Sequence, residues 1–183
     1  LGMQSRGATT GELDQLQSIV RQAMSEGAWG MSTGLEYTPD TYASTDEIVA
    51  LARVVGEFDG VYASHQRNEF DGVVEATRET IHIGSEAGIR VLTSHFKACG
   101  KNNWGSISDA VAAITDARAR GIQVFADQYP YDKPSVDPMI PMRSNSGWSC
   151  FRAPPAMDPF ATLRRPLRAL RPTPPDRPPL APR

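Results

Sequence analysis

Cysteine and histidine are scarce in this chain: its 183 residues hold two cysteines, Cys99 and Cys150, and three histidines, His65, His82 and His95. Two cysteines cannot build a disulfide framework, so a reducing, cytoplasmic setting is expected. No unbroken apolar run reaches the roughly 18 residues of a membrane-spanning helix. The opening residues, Leu1-Gly2-Met3-Gln4-Ser5-Arg6-Gly7, lack the apolar core of a secretory signal. They also lack an initiating Met, which leads us to expect that the true start lies upstream. No Gly-x-Gly-x-x-Gly turn or phosphate-binding glycine loop is present, which argues against a nucleotide cofactor. Proline is nearly missing from the first two thirds, since 13 of 15 prolines lie from Pro134 onward.

Charge divides the chain at a similar place. Residues 1–142 carry 11 Lys+Arg against 19 Asp+Glu, a net of −8, whereas residues 143–183 carry 8 against 2, a net of +6. All eight basic residues of that tail are arginine. We therefore read two kinds of polypeptide, a folded part over residues 1–140 and a disordered Pro/Arg-rich tail over 141–183, with one short helix conceivable near residues 160–170. Arg, Pro and Ala are what GC-rich codons yield out of frame, so the tail is expected to be the product of a frameshifted or truncated gene. The competing reading is a basic arm for an acidic partner. Arginine without interleaved aromatics makes a nucleic-acid partner a weak one.

The folded part repeats. Helical stretches end at Gly27, Gly60, Gly88 and Gly121, and an apolar run follows each. Glycine takes the left-handed helix cap without a Cβ penalty. Helices are expected over residues 12–26, from 44, over 72–87 and from 106, with capping boxes Thr9/Glu12, Ser44/Glu47 and Ser106/Asp109. Their apolar stripes are Leu13, Leu16, Val20 and Ala23, then Ile48, Leu51, Val55 and Phe58, then Val73, Ala76, Thr77 and Ile81, then Ile107, Ala110, Val111, Ile114 and Ala117. Strands are expected over 28–33, 61–65, 89–95 and 122–127. Alternation of this kind predicts α/β architecture with parallel strands and right-handed crossovers. The strands are nearly all apolar, as when both faces are covered. A doubly wound sheet and a (β/α)8 barrel both remain open. Functional-looking residues fall just after the strands, which suits the rim of a barrel, and four βα units make half of one.

Two of those residues organise the rest. His65 ends Val61-Tyr62-Ala63-Ser64-His65, and His95 ends Val91-Leu92-Thr93-Ser94-His95. On neighbouring parallel strands both imidazoles would emerge at one rim, where two neutral nitrogens can hold a metal ion. A single strand-end His is more often hydrogen-bonded structure, and the matched pair is what favours a metal. His82 lies on a polar helix face and is expected to be solvated. Lys97 could bind a substrate carboxylate as a point charge, or be a surface lysine. Tyr37 could donate to a substrate oxygen, or pack on the rim. Asp127 could act as base or ligand, or accept bonds from loop amides. Arg67 and Glu69 could hold each other across the rim or orient His65. Cys99 near His95 makes a thiol nucleophile conceivable, though nothing marks it as activated.

Taken together, Gly34-Leu35-Glu36-Tyr37, Tyr42-Ala43-Ser44-Thr45, the run Val61 to Glu69, Thr93-Ser94-His95-Phe96-Lys97, Asn103-Trp104-Gly105 and Ala126-Asp127-Gln128-Tyr129-Pro130-Tyr131 resemble the D-aminoacylases, the N-acyl-D-amino-acid deacylases of the amidohydrolase superfamily. The resemblance covers about residues 1–133. It implies a zinc-dependent barrel that hydrolyses the amide of N-acyl-D-amino acids to a carboxylate and a D-amino acid. It further implies zinc on His65 and His95, and substrate contacts from Lys97 and Tyr37. Zinc would activate water and polarise the carbonyl, and a carboxylate would deliver a proton to the leaving nitrogen.

The chain also departs from the family. The His-x-His pair of the first barrel strand and the cysteine ligand are absent, and the late-strand aspartate and arginine are replaced by the tail. The expectation is thus a partial barrel, inactive alone, with a small-molecule substrate and no membrane partner. The alternatives are another amidohydrolase, such as a hydantoinase-like ring opener, or a non-catalytic protein acting through its basic tail. Open strand edges and an apolar interior would leave such a half barrel prone to association.

Overall fold

The computed structural model describes residues 4–129 together with Cys150–Phe151. Helix α1 spans Thr10–Ser25, α2 Thr45–Gly56, α3 Val73–Ala87 and α4 Ser106–Ala119. Strands β1 Gly30–Gly34, β2 Val61–His65, β3 Arg90–Thr93 and β5 Val124–Ala126 alternate with them, and the short β4, Ala98–Cys99, follows β3.

Two of the three expected capping boxes form. Thr9 accepts from the Glu12 amide at 3.4 Å and Glu12 accepts from the Thr9 amide at 2.8 Å. Ser44 and Glu47 do the same at 3.2 and 2.8 Å. Each box satisfies amides that the first helical turn leaves without partners. Glu47 also accepts from the Ala8 amide at 2.7 Å, tying the N-terminal segment to α2. Burial alone would raise the Glu47 carboxyl, but these backbone amides outweigh it and hold the group below its ordinary value. The third expected box does not form: α4 is capped by Gly105, with no side-chain bond.

Gly27, Gly88 and Gly121 take positive φ, as expected for helix-ending glycines. Gly60 does not; Asp59 takes the left-handed conformation in its place, at φ 55°. Gly60 is needed for space instead. A Cβ there would lie 2.5 Å from Val55 Cγ1 and 2.8 Å from Met24 Cε, where α1 and α2 meet the start of β2.

The four long strands are parallel in the order β1-β2-β3-β5. Helix α1 packs on α2, α2 on α3 and α3 on α4, a single layer following the strands. The order never reverses among the described strands, so they contain no doubly wound switch point. Burial alternates along β2 and β3: Tyr62, Ser64, Val91 and Thr93 are buried. The opposite face carries Ser32, Ala63, Leu92 and Phe125 in one register row, exposed or half-buried. The sequence pattern had suggested strands covered on both faces; among the described residues one face is covered.

The core lies between sheet and helices, built from Val54, Val55, Tyr62, Val73, Ile83, Val91 and Val124 among others. The α3 stripe is buried as expected. Of the α1 stripe, Leu13, Leu16 and Val20 are half-buried and Ala23 is exposed, and Met24, outside that stripe, is the helix's buried residue. Phe58 of the α2 stripe is exposed as well.

Cys150–Phe151, read from sequence as part of a disordered tail, instead form a strand, β6, antiparallel to β4. Four-residue periodicity or alternation cannot reveal a two-residue ladder. The rest of the expected tail lies outside the described residues. No helix among the described residues is long and apolar enough to cross a membrane.

Candidate metal centre

Parallel pairing brings the two histidines together. Ser64 of β2 is in register with Thr93 of β3, so both chains reach their C-terminal ends side by side. His65 Nδ1 lies 2.8 Å from His95 Nε2, with the rings edge to face at 70° and their centroids 4.4 Å apart. The predicted convergence at one rim is therefore what the fold produces.

His95 gets there by an uncommon backbone. Its φ is 40°, in the left-handed region that a β-carbon disfavours. Asp127, just past β5, holds the turn. Its carboxylate accepts from the His95 amide and its carbonyl accepts from the Phe96 amide at 2.8 Å, while its own amide donates to the Thr93 carbonyl at 3.2 Å. Of the roles open to Asp127 from sequence, the loop-amide acceptor is the one its contacts describe.

Carboxylates flank the rings. Glu36, in the loop after β1, places Oε2 2.9 Å from His65 Nε2. Glu69 is 4% exposed and places Oε1 2.9 Å from His95 Nδ1 and 4.0 Å from His65 Nε2. The Lys97 ammonium pairs closely with Glu69 Oε2, and also lies 2.9 Å from His95 Nδ1 and 3.2 Å from the His95 carbonyl. Lys97 is thus a buried ion-pair partner, 6% exposed, and not a solvated surface lysine. Burial acts to raise the Glu69 carboxyl, but His95 and the Lys97 ammonium prevail and keep it below its ordinary value, hence ionised. Glu69 Oε1 nevertheless accepts no hydrogen bond in the recorded arrangement.

Tyr37 sits at the open side, 44% exposed, its ring centroid 4.8 Å from that of His65. Its loop is clamped from below. The Arg67 guanidinium donates to the Thr41 and Ala43 carbonyls at 3.0 Å each and forks onto Glu79 at 2.8 and 2.9 Å. From sequence, Arg67 and Glu69 could hold each other across the rim or orient His65. Instead Arg67 points back to α3, and Glu69 is taken by Lys97 and His95. His82 is exposed on α3, as expected. Cys99 is buried in β4, its amide donating to the Glu69 carbonyl at 2.7 Å. Sequence reasoning missed Glu36 as a partner of His65, although Glu36 stands beside Tyr37 in a motif already singled out. A groove of about 730 Å³ between α3 and α4 shares no lining residue with this centre.

His65, Glu69 and His95 offer ligand atoms all within 4.8 Å of one another. Imidazole nitrogen and carboxylate oxygen are the donors zinc takes in proteins. Two facing nitrogens and a buried, ionised oxygen without a donor form an electron-rich cluster that a cation would satisfy, so the residues present fit a metal ion.

No protein-family model matches the chain. A D-aminoacylase of Alcaligenes xylosoxydans xylosoxydans is 38% identical over 126 residues, covering 69% of this chain and 26% of that protein. An N-acyl-D-glutamate deacylase of the same organism is 37% identical over 130 residues, 71% of this chain and 26% of that one. A solved N-acyl-D-glutamate deacylase from Bordetella bronchiseptica, complexed with zinc and a phosphonate mimic of the tetrahedral intermediate, matches with a TM-score of 0.68. It is 38% identical over 70% of this chain and 27% of its own. The chain thus spans about a quarter of the length of the relatives it matches. Over the matched residues it is similar in sequence and in fold to D-aminoacylases, whose solved structure is described as a subset of the amidohydrolases.

Proposed function

We propose that this chain is a segment of a zinc-dependent hydrolase that cleaves the amide bond of N-acyl-D-amino acids. The observation that carries the reading is the pair of rim imidazoles, 2.8 Å apart on adjacent strands, in a chain similar to deacylases. The four described βα strands and their single helical layer then form part of a barrel wall. His65 and His95 would hold the metal. When bound, zinc lowers the pKa of water and polarises the scissile carbonyl. Tyr37 stands exposed beside His65, where its hydroxyl can donate to a substrate oxygen. Lys97 supplies positive charge at the base of the centre, where it can draw the substrate carboxylate. Its pairing with Glu69 tempers that charge, so Lys97 acts with Glu69 as a unit.

The chain alone binds zinc without turning over substrate, because the family's further ligands and late-strand acid are not among its residues. With only two cysteines in the chain, the reading is of a cytoplasmic enzyme acting on a small molecule. Calorimetric titration of the purified chain with zinc, followed by an assay with N-acetyl-D-methionine, tests both halves. Stoichiometric binding that His95→Ala abolishes, with no hydrolysis, is the expected result. Failure to bind zinc refutes the metal reading, and turnover at the rate of a full-length deacylase refutes the inactivity.

A further inference from the structure

We propose that Arg67, held in place by Glu79, is a positioning residue that fixes the loop after β1, so that the Tyr37 ring keeps a set place at the open side of the centre, where a substrate would enter. The proposal rests on the metal reading above and adds which residue outside the centre sets its substrate side.

Three elements meet at this guanidinium. Arg67 follows the end of β2 by two residues, and its Nη1 and Nη2 donate to the Thr41 and Ala43 carbonyls at 3.0 Å each. Its Nε and Nη2 also donate to Glu79 of α3 at 2.9 and 2.8 Å. Glu79 Oε1 accepts in addition from the Thr45 hydroxyl at 2.7 Å, at the start of α2. The Arg67 and Glu79 side chains are 28% and 13% exposed, so the pair is shielded from water on most sides. The link from here to Tyr37 runs through one residue. The Thr41 amide donates to the Tyr37 carbonyl at 2.8 Å, and the Thr41 carbonyl is a group that Arg67 holds. The Tyr37 amide in turn donates to the Gly34 carbonyl at 2.9 Å, at the end of β1. Tyr37 is thus strung between the strand end and the guanidinium.

Charge balance and hydrogen bonding alone do not call for an arginine here. Thr41 and Ala43 are half-buried loop residues whose carbonyls water could satisfy. A lysine could offset the Glu79 charge. What the guanidinium adds is direction: its planar fork of donors holds two carbonyls and a carboxylate at once, which a compact ammonium on a flexible stem does not. Fixed direction is what a group meeting a substrate requires. Tyr37 is exposed, with its ring centroid 4.8 Å from that of His65, and a rocking loop would move it directly. A misplacement of about 1 Å at a reacting centre can cost about 100-fold in rate.

The test uses the whole chain loaded with cobalt(II), with 13C-labelled tyrosine and 15N-labelled histidine. Tyr37→Phe identifies the Tyr37 resonances. Paramagnetic relaxation by the ion falls steeply with distance, so it reports where the ring stands. Arg67→Lys is the informative variant because it keeps a positive charge beside Glu79. In the parent, cobalt should strongly broaden the Tyr37 ring. In Arg67→Lys that broadening should fall severalfold, while it stays unchanged at the buried Tyr62, whose hydroxyl meets Thr33 at 2.7 Å, and the urea midpoint stays near that of the parent. A residue needed only to balance Glu79 would leave Tyr37 as in the parent, and that result overturns the proposal. Loss of the fold in Arg67→Lys, or an equal change at Tyr62, makes Arg67 a residue of the fold at large and overturns it too. Cobalt without effect on either His65 or His95 of the parent sinks the metal reading, and this proposal with it. Cobalt sensed by those histidines but not by Tyr37 sinks this proposal alone.

Discussion

Replacing Lys97 by Ala should destabilise the fold far more than removing a surface cation. Lys97 and Glu69 have side chains only 7% and 6% exposed, and they pair directly. Taking away one partner leaves the other charge buried and uncompensated, which costs about 3–5 kcal/mol. Arg53 and Glu86 provide the control. Their side chains are 58% and 49% exposed at 3.4 Å, and such a pair is worth at most about 1 kcal/mol. Urea unfolding of Lys97→Ala, Arg53→Ala and the parent at neutral pH measures the difference. The double variant Lys97→Met/Glu69→Gln, which removes both charges while keeping volume, should recover most of the loss.

The pH dependence gives a second readout. Glu69 lies below its ordinary value of 4.5 in the fold, so its contribution is present above about pH 4.5 and is lost as pH falls through the lower, folded value. Without the ammonium, burial is opposed by the histidines alone and Glu69 moves upward, so the acid-induced loss should begin at higher pH. A Lys97→Ala variant within about 1 kcal/mol of the parent, matching Arg53→Ala, would refute the reasoning, because Glu69 would then have to be solvated.

Asp127→Ala removes the acceptor that holds His95 at positive φ and should cost about 1–3 kcal/mol by chemical denaturation, while Asp127→Asn, which keeps an oxygen acceptor, should stay near the parent. Arg67→Ala should speed amide exchange in residues 35–44 selectively, and Arg67→Lys should restore little, since an ammonium cannot fork onto Glu79 while reaching both carbonyls. Glu47→Ala should cost about 1 kcal/mol at neutral pH as a lost cap. Glu47 sits below its ordinary 4.5, so its share of stability is present above that pH and fades on acidification; thermal melts of parent and variant should converge toward acid pH.

Much of the fold was legible because it is local. Thr9 with Glu12 and Ser44 with Glu47 act over three residues, so their boxes could be read from spacing alone. The regular return of glycine marked the helix ends. Where a nearer competitor existed, the reading failed: Gly105 capped α4 ahead of Ser106, and Asp59 took the turn assigned to Gly60. The meeting of His65 with His95 was legible too, because parallel βα units repeat at one spacing and deliver successive strand ends to one rim.

What linear order could not settle was which charge each rim residue would meet. Glu69 lies two residues from Arg67 and 28 from Lys97, yet it pairs with Lys97. Glu36 reaches His65 across 29 positions, and Asp127 reaches the His95 amide across 32. Alternating periodicity assigns a residue to a face of a strand. It does not say how far a loop bends over that face, nor which buried oxygen lacks a donor. Elements and their succession are encoded in short-range backbone and apolar patterning, whereas the wiring of the centre depends on distances between loops that exist only after the strands have paired.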